Sequence, residues 1–216
     1  PEPVARPSDD TPEQTADWPA IEPDTYHCVS DRAALDAWIA TIRAQGYVAF
    51  DTETTSLNEM QAELVGISLA TAPGQACYIP LAHKDGTADD LFGSDKRAEG
   101  QLPLEEVLKA LKPVLEDEAI LKIGQNMKYD AKILAAHGIT VAPIDDTMLM
   151  SYALHAGLHG HSMDTLSERY LSHSPIPIKS LLGSGKSAVT FDRVPVAEAV
   201  KYAAEDADIT LRLWLT

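Results

Sequence analysis

The sequence predicts an α/β domain built on a mixed β-sheet. Short apolar runs typical of strands lie between residues 47 and 80, amphipathic helical patterns dominate after residue 102, and both kinds of element alternate between 102 and 137. The chain has 216 residues, of which 45% are apolar, and this suffices for one domain with a substantial core. These observations favour one α/β domain over two large ones.

Residues 1–25 are predicted to form a flexible linker that precedes a domain covering residues 26–216. They are rich in Pro, contain seven acidic residues and one Arg, and show no hydrophobic period. Such a segment buries too little apolar surface to offset the entropy that it would lose on ordering. Because the sequence starts at Pro1 and ends inside an apolar helical pattern, we expect it to be a piece of a longer chain.

The first elements of the predicted domain are a helix and three strands. Apolar residues at helical spacing predict a helix over 31–44, and Gly46 is typical of the position that follows a helix. A short apolar run predicts a buried strand over 47–53. Two more strands are predicted over 64–70 and 76–80, on either side of a Pro-Gly turn.

Helices dominate the second half of the sequence, after an irregular segment over 83–100. The segment 102–116 is predicted to be a helix, and 119–124 a fourth strand. The remaining predicted elements are a helix over 126–137 that ends before Gly138, helices at 146–156 and 165–171, a Pro/Gly/Ser-rich loop over 173–187, and a last helix from Pro195 to the end.

Charge and composition argue against several classes of protein. Lys and Arg total 17 against 33 Asp and Glu, a formal net charge of −16, which argues against a broad basic surface for nucleic acid. A narrow site that handles phosphates through metal ions is compatible with this charge. The chain has two cysteines, no apolar run near the roughly 20 residues of a membrane helix, and no signal peptide. We therefore expect a cytoplasmic protein with no membrane partner.

Two carboxylates mark the end of the first predicted strand. Asp51 and Glu53 alternate with Thr52, so both acidic side chains project to one face of the strand, roughly 7 Å apart. They follow a buried run and precede a polar loop, which is a usual position for a site at the edge of a sheet. Alone, the pattern favours two ordinary acids at a solvated strand end.

Two further acidic motifs lie on predicted helices. Asn126 is a good N-cap residue, and Asp130 follows four residues later on the same helix face. In the last helix, Tyr202 and Asp206 are four residues apart at the edge of an apolar stripe that contains several alanines. Taken singly, each motif is more typical of a helix cap or a solvated acid.

The acids are more informative as a set, because converging carboxylates require a partner. At an effective dielectric of about 20 they repel one another by several kcal/mol per pair, so such a cluster needs cations or bound protons. Ligands that are all oxygen favour hard ions, Mg²⁺ or Mn²⁺, over Zn²⁺. Two such ions about 4 Å apart can hold the attacking and leaving oxygens of a phosphodiester. An acidic protein can thus act on DNA, because the ions supply the local positive charge.

Three segments carry a resemblance to a known family: FDTETTSL (50–57), IGQNMKYD (123–130) and YAAEDADITL (202–211). In this order they closely resemble the 3′→5′ exonuclease domain of family A bacterial DNA polymerases, in the tyrosine branch of the DEDD exonuclease superfamily. The resemblance extends over about residues 30–216. It implies a ribonuclease H-like fold, with a mixed, mostly parallel five-stranded sheet flanked by helices, and a two-metal mechanism.

The resemblance also implies a role for each site residue. Asp51, Glu53 and Asp206 would bind the first of two divalent ions, Mg²⁺ or Mn²⁺, which activates the water. Asp51 and Asp130 would hold the second ion at the leaving 3′ oxygen. Tyr202 and Glu53 would position the attacking water or hydroxide. The residues that resemble contacts to the terminal nucleotides are Leu57, Gln125, Asn126 and Tyr129.

The substrate and partners follow from the same resemblance. The chain is expected to remove nucleoside monophosphates from a single-stranded or frayed 3′ end of DNA. With a polymerase domain in the same full-length chain, this activity would proofread during replication and repair. We expect a monomer in a bacterial cytoplasm. The loop Leu158-His159-Gly160 lacks an Arg that is frequent in relatives, so binding of the frayed strand is expected to differ there.

Two alternatives are compatible with the same residues. An RNA-trimming exonuclease of the same superfamily would use the same ions, although the segments outside the three motifs resemble the polymerase family. A catalytically silent structural module would only position a neighbouring polymerase. Such a module is expected to have lost metal-binding acids, and all four acids are present here.

Overall fold

The fold is seen in a computed structural model that describes residues 17–85, 96–185 and 188–216. Of the segment predicted to be irregular, residues 86–95 lie outside this described part. On either side of the gap, Lys84 and Arg97 form an isolated antiparallel bridge. None of the helices in the described ranges is both long enough and apolar enough to cross a membrane.

A mixed β-sheet forms the centre of the domain, as predicted. Within the described residues it has six strands: β1 (His27–Cys28), β2 (Tyr47–Thr54), β3 (Leu64–Ala72), β4 (Gln75–Pro80), β5 (Leu121–Gly124) and β6 (Ile144–Asp146). Their spatial order is β1-β4-β3-β2-β5-β6. The pairs β1/β4, β2/β5 and β5/β6 are parallel, whereas β2/β3 and β3/β4 are antiparallel.

The resemblance implies five strands and the described residues form six, so that number is wrong. The sequence patterns predict four of the six, because the two edge strands are too short to leave a pattern. β1 has two residues and β6 has three, which is less than the length over which alternation can be recognised. They extend the sheet at its two ends by pairing with β4 and β5. The class, the mixed sheet and the predominance of parallel pairs are confirmed.

Seven α-helices occur in the described part of the chain. They are α1 (Arg32–Gln45), α2 (Leu104–Leu115), α3 (Lys128–Ala136), α4 (Thr147–His155), α5 (Met163–Leu166), α6 (Ile178–Leu182) and α7 (Val196–Leu215). A π-helical turn, Ser167–Leu171, continues α5. α1 shows how local chemistry sets the helix ends: the Asp31 carboxylate accepts from the Ala34 N–H at 2.8 Å, and Gly46 closes the helix at φ +81°.

Helices cover both faces of the sheet and thereby place the acids of β2. α1, α2 and α3 pack against one face, in a cluster that includes Val48 and Phe50. α7 packs against the other face, where its alanines contact Ala49 in a second cluster. Because side chains alternate along a strand, Asp51 and Glu53 lie on the face covered by α7.

The predicted linker falls mainly outside the described residues, since the structure describes it only from Asp17 onward. The described part of it lies along α7. The Pro19 carbonyl accepts from Arg212 at 2.9 Å, and Asp24 forms an ion pair with Lys201 at 2.8 Å.

A buried lysine joins β5 to its neighbouring loops. The Lys122 ammonium is fully buried and donates to the carbonyls of Asp117, Ile120 and Ala142 at 2.8, 2.6 and 2.5 Å. Burial lowers the pKa of this ammonium. The carbonyls offset the cost of burying the charge, because each one accepts a hydrogen bond from it.

Replacing Lys122 by Met is therefore expected to lower the free energy of unfolding by about 2 kcal/mol, because it leaves buried carbonyls unpaired. The melting temperature should fall by roughly 4–8 °C for a domain of this size. Lys109→Met, on the exposed side of α2, removes the same charge and serves as the matched control. Equal melting temperatures for the two variants would contradict the expectation.

Candidate active site

Three carboxylates converge between β2 and α7. Ligand oxygens of Asp51, Glu53 and Asp206 all lie within 4.8 Å of one another. Asp51 and Glu53 come from the same face of β2, and Asp206 comes from the helix that covers that face. Glu53 and Asp206 are each only 8% exposed. The structure thus brings together residues that are about 155 positions apart in the sequence.

The electrostatics of this cluster favour a bound cation. Burial and the neighbouring carboxylates raise the pKa of Asp51 and of Glu53 above their usual range. Burial also raises the pKa of Asp206, to about 8, against the lowering effect of a hydrogen bond from Tyr202. The Oε1 atom of Glu53 is buried without a hydrogen-bond partner. An unpaired buried oxygen beside two further carboxylates fits a hard divalent ion.

Tyr202 stands one turn before Asp206 on α7 and shares the site with the acids. Its hydroxyl is hydrogen-bonded to Asp206, and its ring packs on Phe191 with the ring centroids 6.0 Å apart. Burial and the charges of Asp206 and Glu53 raise the pKa of this hydroxyl. The hydroxyl is therefore protonated at neutral pH, so it can donate a hydrogen bond but cannot act as a base.

Asp130 reaches β2 from the opposite side of the sheet. Its Oδ1 atom accepts from the backbone N–H of Thr52 at 3.0 Å and from the Thr52 hydroxyl at 2.5 Å. This is possible because the register of β5 against β2 ends at Ala49, which leaves the N–H of Thr52 free for a side chain. Burial raises the pKa of Asp130 to about 6, and the bonds from Thr52 oppose that rise. Its charge also raises the pKa of Asp51.

The four predicted nucleotide-contact residues lie in different environments. Leu57 is 94% exposed, in the loop that follows β2. The Tyr129 hydroxyl contacts that loop, at 2.5 Å from both the Thr54 hydroxyl and the Ser56 carbonyl. The Gln125 side-chain amide donates to the His161 carbonyl at 2.9 Å, and Asn126 is exposed.

The prediction that Asn126 caps the helix is wrong. α3 begins at Lys128, and Met127 takes the N-cap position without a side-chain bond. Asn126 has a φ of +61° and so belongs to the turn before the helix. Its backbone N–H is bonded to Asp146 at 3.1 Å, so a side chain from another part of the fold holds the turn. Asn is one of the residues that tolerate this left-handed conformation.

The comparison with known sequences agrees with this arrangement. Residues 26–216 match the family described as 3′-5′ exonuclease. DNA polymerase I of Rhizobium leguminosarum is 53% identical over 199 residues, which are 88% of this chain and 19% of that protein. The chain belongs to the 3′-5′ exonuclease domain family of DNA polymerase I. It spans about a fifth of the length of the curated relatives that it matches.

Two solved structures have a similar fold. Escherichia coli RNase D superposes with a TM-score of 0.61 at 19% identity, over 88% of this chain and 43% of that one. Brucella melitensis NrnC with bound Mg²⁺ gives a TM-score of 0.55 at 23% identity, over 79% and 70% of the two chains. The predicted ribonuclease H-like architecture is therefore confirmed. As a member of the family the domain is a nuclease, and its acid cluster is a candidate metal site.

Asp146 is a residue of this exonuclease domain that the sequence motifs do not single out. Its buried carboxylate accepts from four backbone N–H groups, those of Asn126, Met127, Met148 and Leu149. The bonds to Met148 and Leu149 are ordinary N-cap contacts at the start of α4, and an Asp directly before a helix signals them. Nothing local in the sequence signals the bonds to Asn126 and Met127, which lie some 20 positions earlier.

Proposed function

We propose that this chain hydrolyses the terminal phosphodiester bond at the 3′ end of DNA and releases nucleoside monophosphates with the help of two divalent ions. One observation carries the proposal: three carboxylates converge within 4.8 Å around a buried Glu53 oxygen that lacks a partner. Membership in the 3′-5′ exonuclease family supports the direction of attack. The name of the relatives, DNA polymerase I, supports DNA as the substrate.

The donor set fits two Mg²⁺ or Mn²⁺ ions. Asp51, Glu53 and Asp206 would hold one ion, and Asp51 together with Asp130 would hold the other. Bound there, the ions supply an activated water and stabilise negative charge on the leaving 3′ oxygen. All-oxygen ligands suit these hard ions.

Tyr202 and Glu53 would orient the attacking water between them. The Tyr202 hydroxyl donates its one proton to Asp206, so its oxygen can accept a hydrogen bond from the water, and the free Glu53 oxygen can accept another. Both groups are fixed, Tyr202 by its packing on Phe191 and Glu53 by its position in the sheet. Such prior orientation lowers the entropy cost of the reaction.

The last nucleotides would lie across the loop after β2 and the turn before α3. Leu57 is almost fully exposed and suits apolar contact with the terminal base. Gln125 and Asn126 would supply hydrogen bonds to the strand. Tyr129 would act through its contact with the loop, because its hydroxyl is bonded to Thr54 and Ser56.

In a longer chain, a polymerase domain would deliver a frayed primer end to this site, which would make the activity proofreading. A silent structural module remains the alternative, as does an exonuclease acting on RNA. Digestion of a 5′-labelled single-stranded DNA, beside an RNA of the same sequence, separates the three. A ladder that shortens from the 3′ end of the DNA, and that chelator abolishes, supports the proposal. Preference for RNA, or no cleavage of either strand with Mg²⁺ or Mn²⁺, contradicts it.

Replacing Tyr202 by Phe is expected to lower kcat about 10- to 100-fold, because the water loses one of its orienting groups. KM for the DNA should change little, since the hydroxyl is bonded to Asp206 and is not among the proposed contacts to the terminal nucleotides. Steady-state kinetics on a labelled oligonucleotide provide the measurement. Tyr152→Phe, on the exposed side of α4, is the matched control. A Tyr202→Phe variant with the kcat of Tyr152→Phe would show that the hydroxyl has no part in the reaction.

A further inference from the structure

Asp146 joins the starts of two helices through one carboxylate. Asp146 is the last residue of β6, and in the sheet it pairs with Gly124, the last residue of β5. Its side chain therefore lies beside the turn that leads from β5 into α3. It is only 7% exposed.

Both carboxylate oxygens accept hydrogen bonds. Oδ2 accepts from Met127 N–H at 2.9 Å, and Oδ1 accepts from Asn126, Met148 and Leu149 N–H at 3.1, 3.0 and 3.3 Å. The N–H groups at helix starts lack partners within the helix and carry partial positive charge. A buried carboxylate at this point is therefore stabilised by two helix starts at once.

The adjacent Thr147 extends this contact to Gln125. Its hydroxyl lies within hydrogen-bonding distance of the Gly124 carbonyl, at 3.2 Å, and of the Gln125 side-chain oxygen. The nitrogen of that same side chain is bonded to the His161 carbonyl. Asp146 and Thr147 thus hold the backbone of Asn126 and the side chain of Gln125 in one arrangement.

We infer that Asp146 is a positioning residue that sets the DNA-contacting turn Gln125–Asn126, and this inference rests on the proposed function. The turn is held by this carboxylate, because it accepts from the backbone N–H groups of Asn126 at 3.1 Å and of Met127 at 2.9 Å. Asp130 does not depend on Asp146 in the same way, since Thr52 anchors it from β2. Asp146 should therefore affect binding of the strand more than the chemical step.

The test compares Asp146→Asn with Asp145→Asn in the 216-residue chain. Each change removes one negative charge, and the two positions are adjacent. The Asp145 carboxylate accepts a hydrogen bond from the Trp214 ring N–H at 2.7 Å, on the other side of β6. We expect Asp146→Asn to raise KM for single-stranded DNA about 10-fold over Asp145→Asn, with kcat within about threefold. Equal KM values, or a loss confined to kcat, would overturn the inference.

A second variant and a second measurement test the inference if Asp146→Asn unfolds the chain or if the wild type does not cleave DNA. Asp146→Ser keeps a good cap for α4 but is too short to reach Asn126 and Met127, so it should raise KM without unfolding the chain. Amide hydrogen exchange at Asn126 and Met127 should speed up in both Asp146 variants. If the wild type leaves DNA intact, the proposed function fails, and the hydrogen-exchange measurement then tests the positioning role of Asp146. Unchanged exchange rates at these two amides overturn the inference.

Discussion

Replacement of Asp51 by Asn is expected to lower the rate of 3′-terminal cleavage by roughly 10³-fold or more. Asp51 is the carboxylate shared by both proposed ion sites, and it lies within 4.8 Å of Glu53 and Asp206. An amide of the same shape keeps the packing but offers one neutral oxygen to the ions. The measurement is the rate at which a 5′-labelled single-stranded DNA shortens in saturating Mg²⁺ or Mn²⁺.

The control for this variant is Glu105→Gln on α2, which removes the same charge from an exposed position in the first turn of that helix. Its cleavage rate should equal that of the wild type within about twofold, so that net charge alone cannot explain a loss. Titration with Mn²⁺ should show weaker binding for Asp51→Asn only. An Asp51→Asn variant that retains more than about a tenth of the activity would rule out the shared-ligand role.

Without metal, the stability of the domain is expected to fall as the pH rises from 5 to 8. The pKa of Asp206 is raised to about 8 in the folded chain, and the pKa values of Asp51 and Glu53 are also raised. Unfolded carboxyl groups titrate near pH 4, so over this window the folded state binds more protons than the unfolded state. The free energy of unfolding then decreases with pH, by about 1.4 kcal/mol per pH unit for each proton of difference.

The measurement is denaturant unfolding in chelator at pH 5 and at pH 8, for the wild type and for Asp206→Asn. Subtracting the unfolding free energies of the two proteins cancels the contributions of other titrating groups. One of these is the buried His83, whose lowered pKa makes stability rise with pH. Asp206→Asn should lose less stability between pH 5 and 8, by about 3 kcal/mol. Mg²⁺ should stabilise the wild type more at pH 8, since protons compete with the ion. Parallel pH profiles for the two proteins would refute the expectation.

Much of this domain follows from local sequence. The helix over 31–44 and the strands over 47–53, 64–70 and 76–80 lie within two residues of the observed elements at each end. Apolar periodicity and turn residues report local geometry directly, so they predict such elements well. The alternation of side chains along β2 is also sufficient to place Asp51 and Glu53 on one face.

Only the tertiary structure decided which residues meet across the fold. It placed Asp130 against Thr52, on the face of β2 opposite to Asp51. It also placed Asn126 in a turn that is held by a hydrogen bond to Asp146, whereas the sequence predicts a helix cap there. It also added the edge strands β1 and β6, which exist through pairing with β4 and β5. Hydrogen bonds between residues about 20 or 80 positions apart produce no periodic pattern in the sequence. Whether two such residues meet in space depends on how strands and helices pack. The sequence by itself determined the acids and their local geometry, whereas the packing of α3, α4 and α7 on the sheet determined their common site.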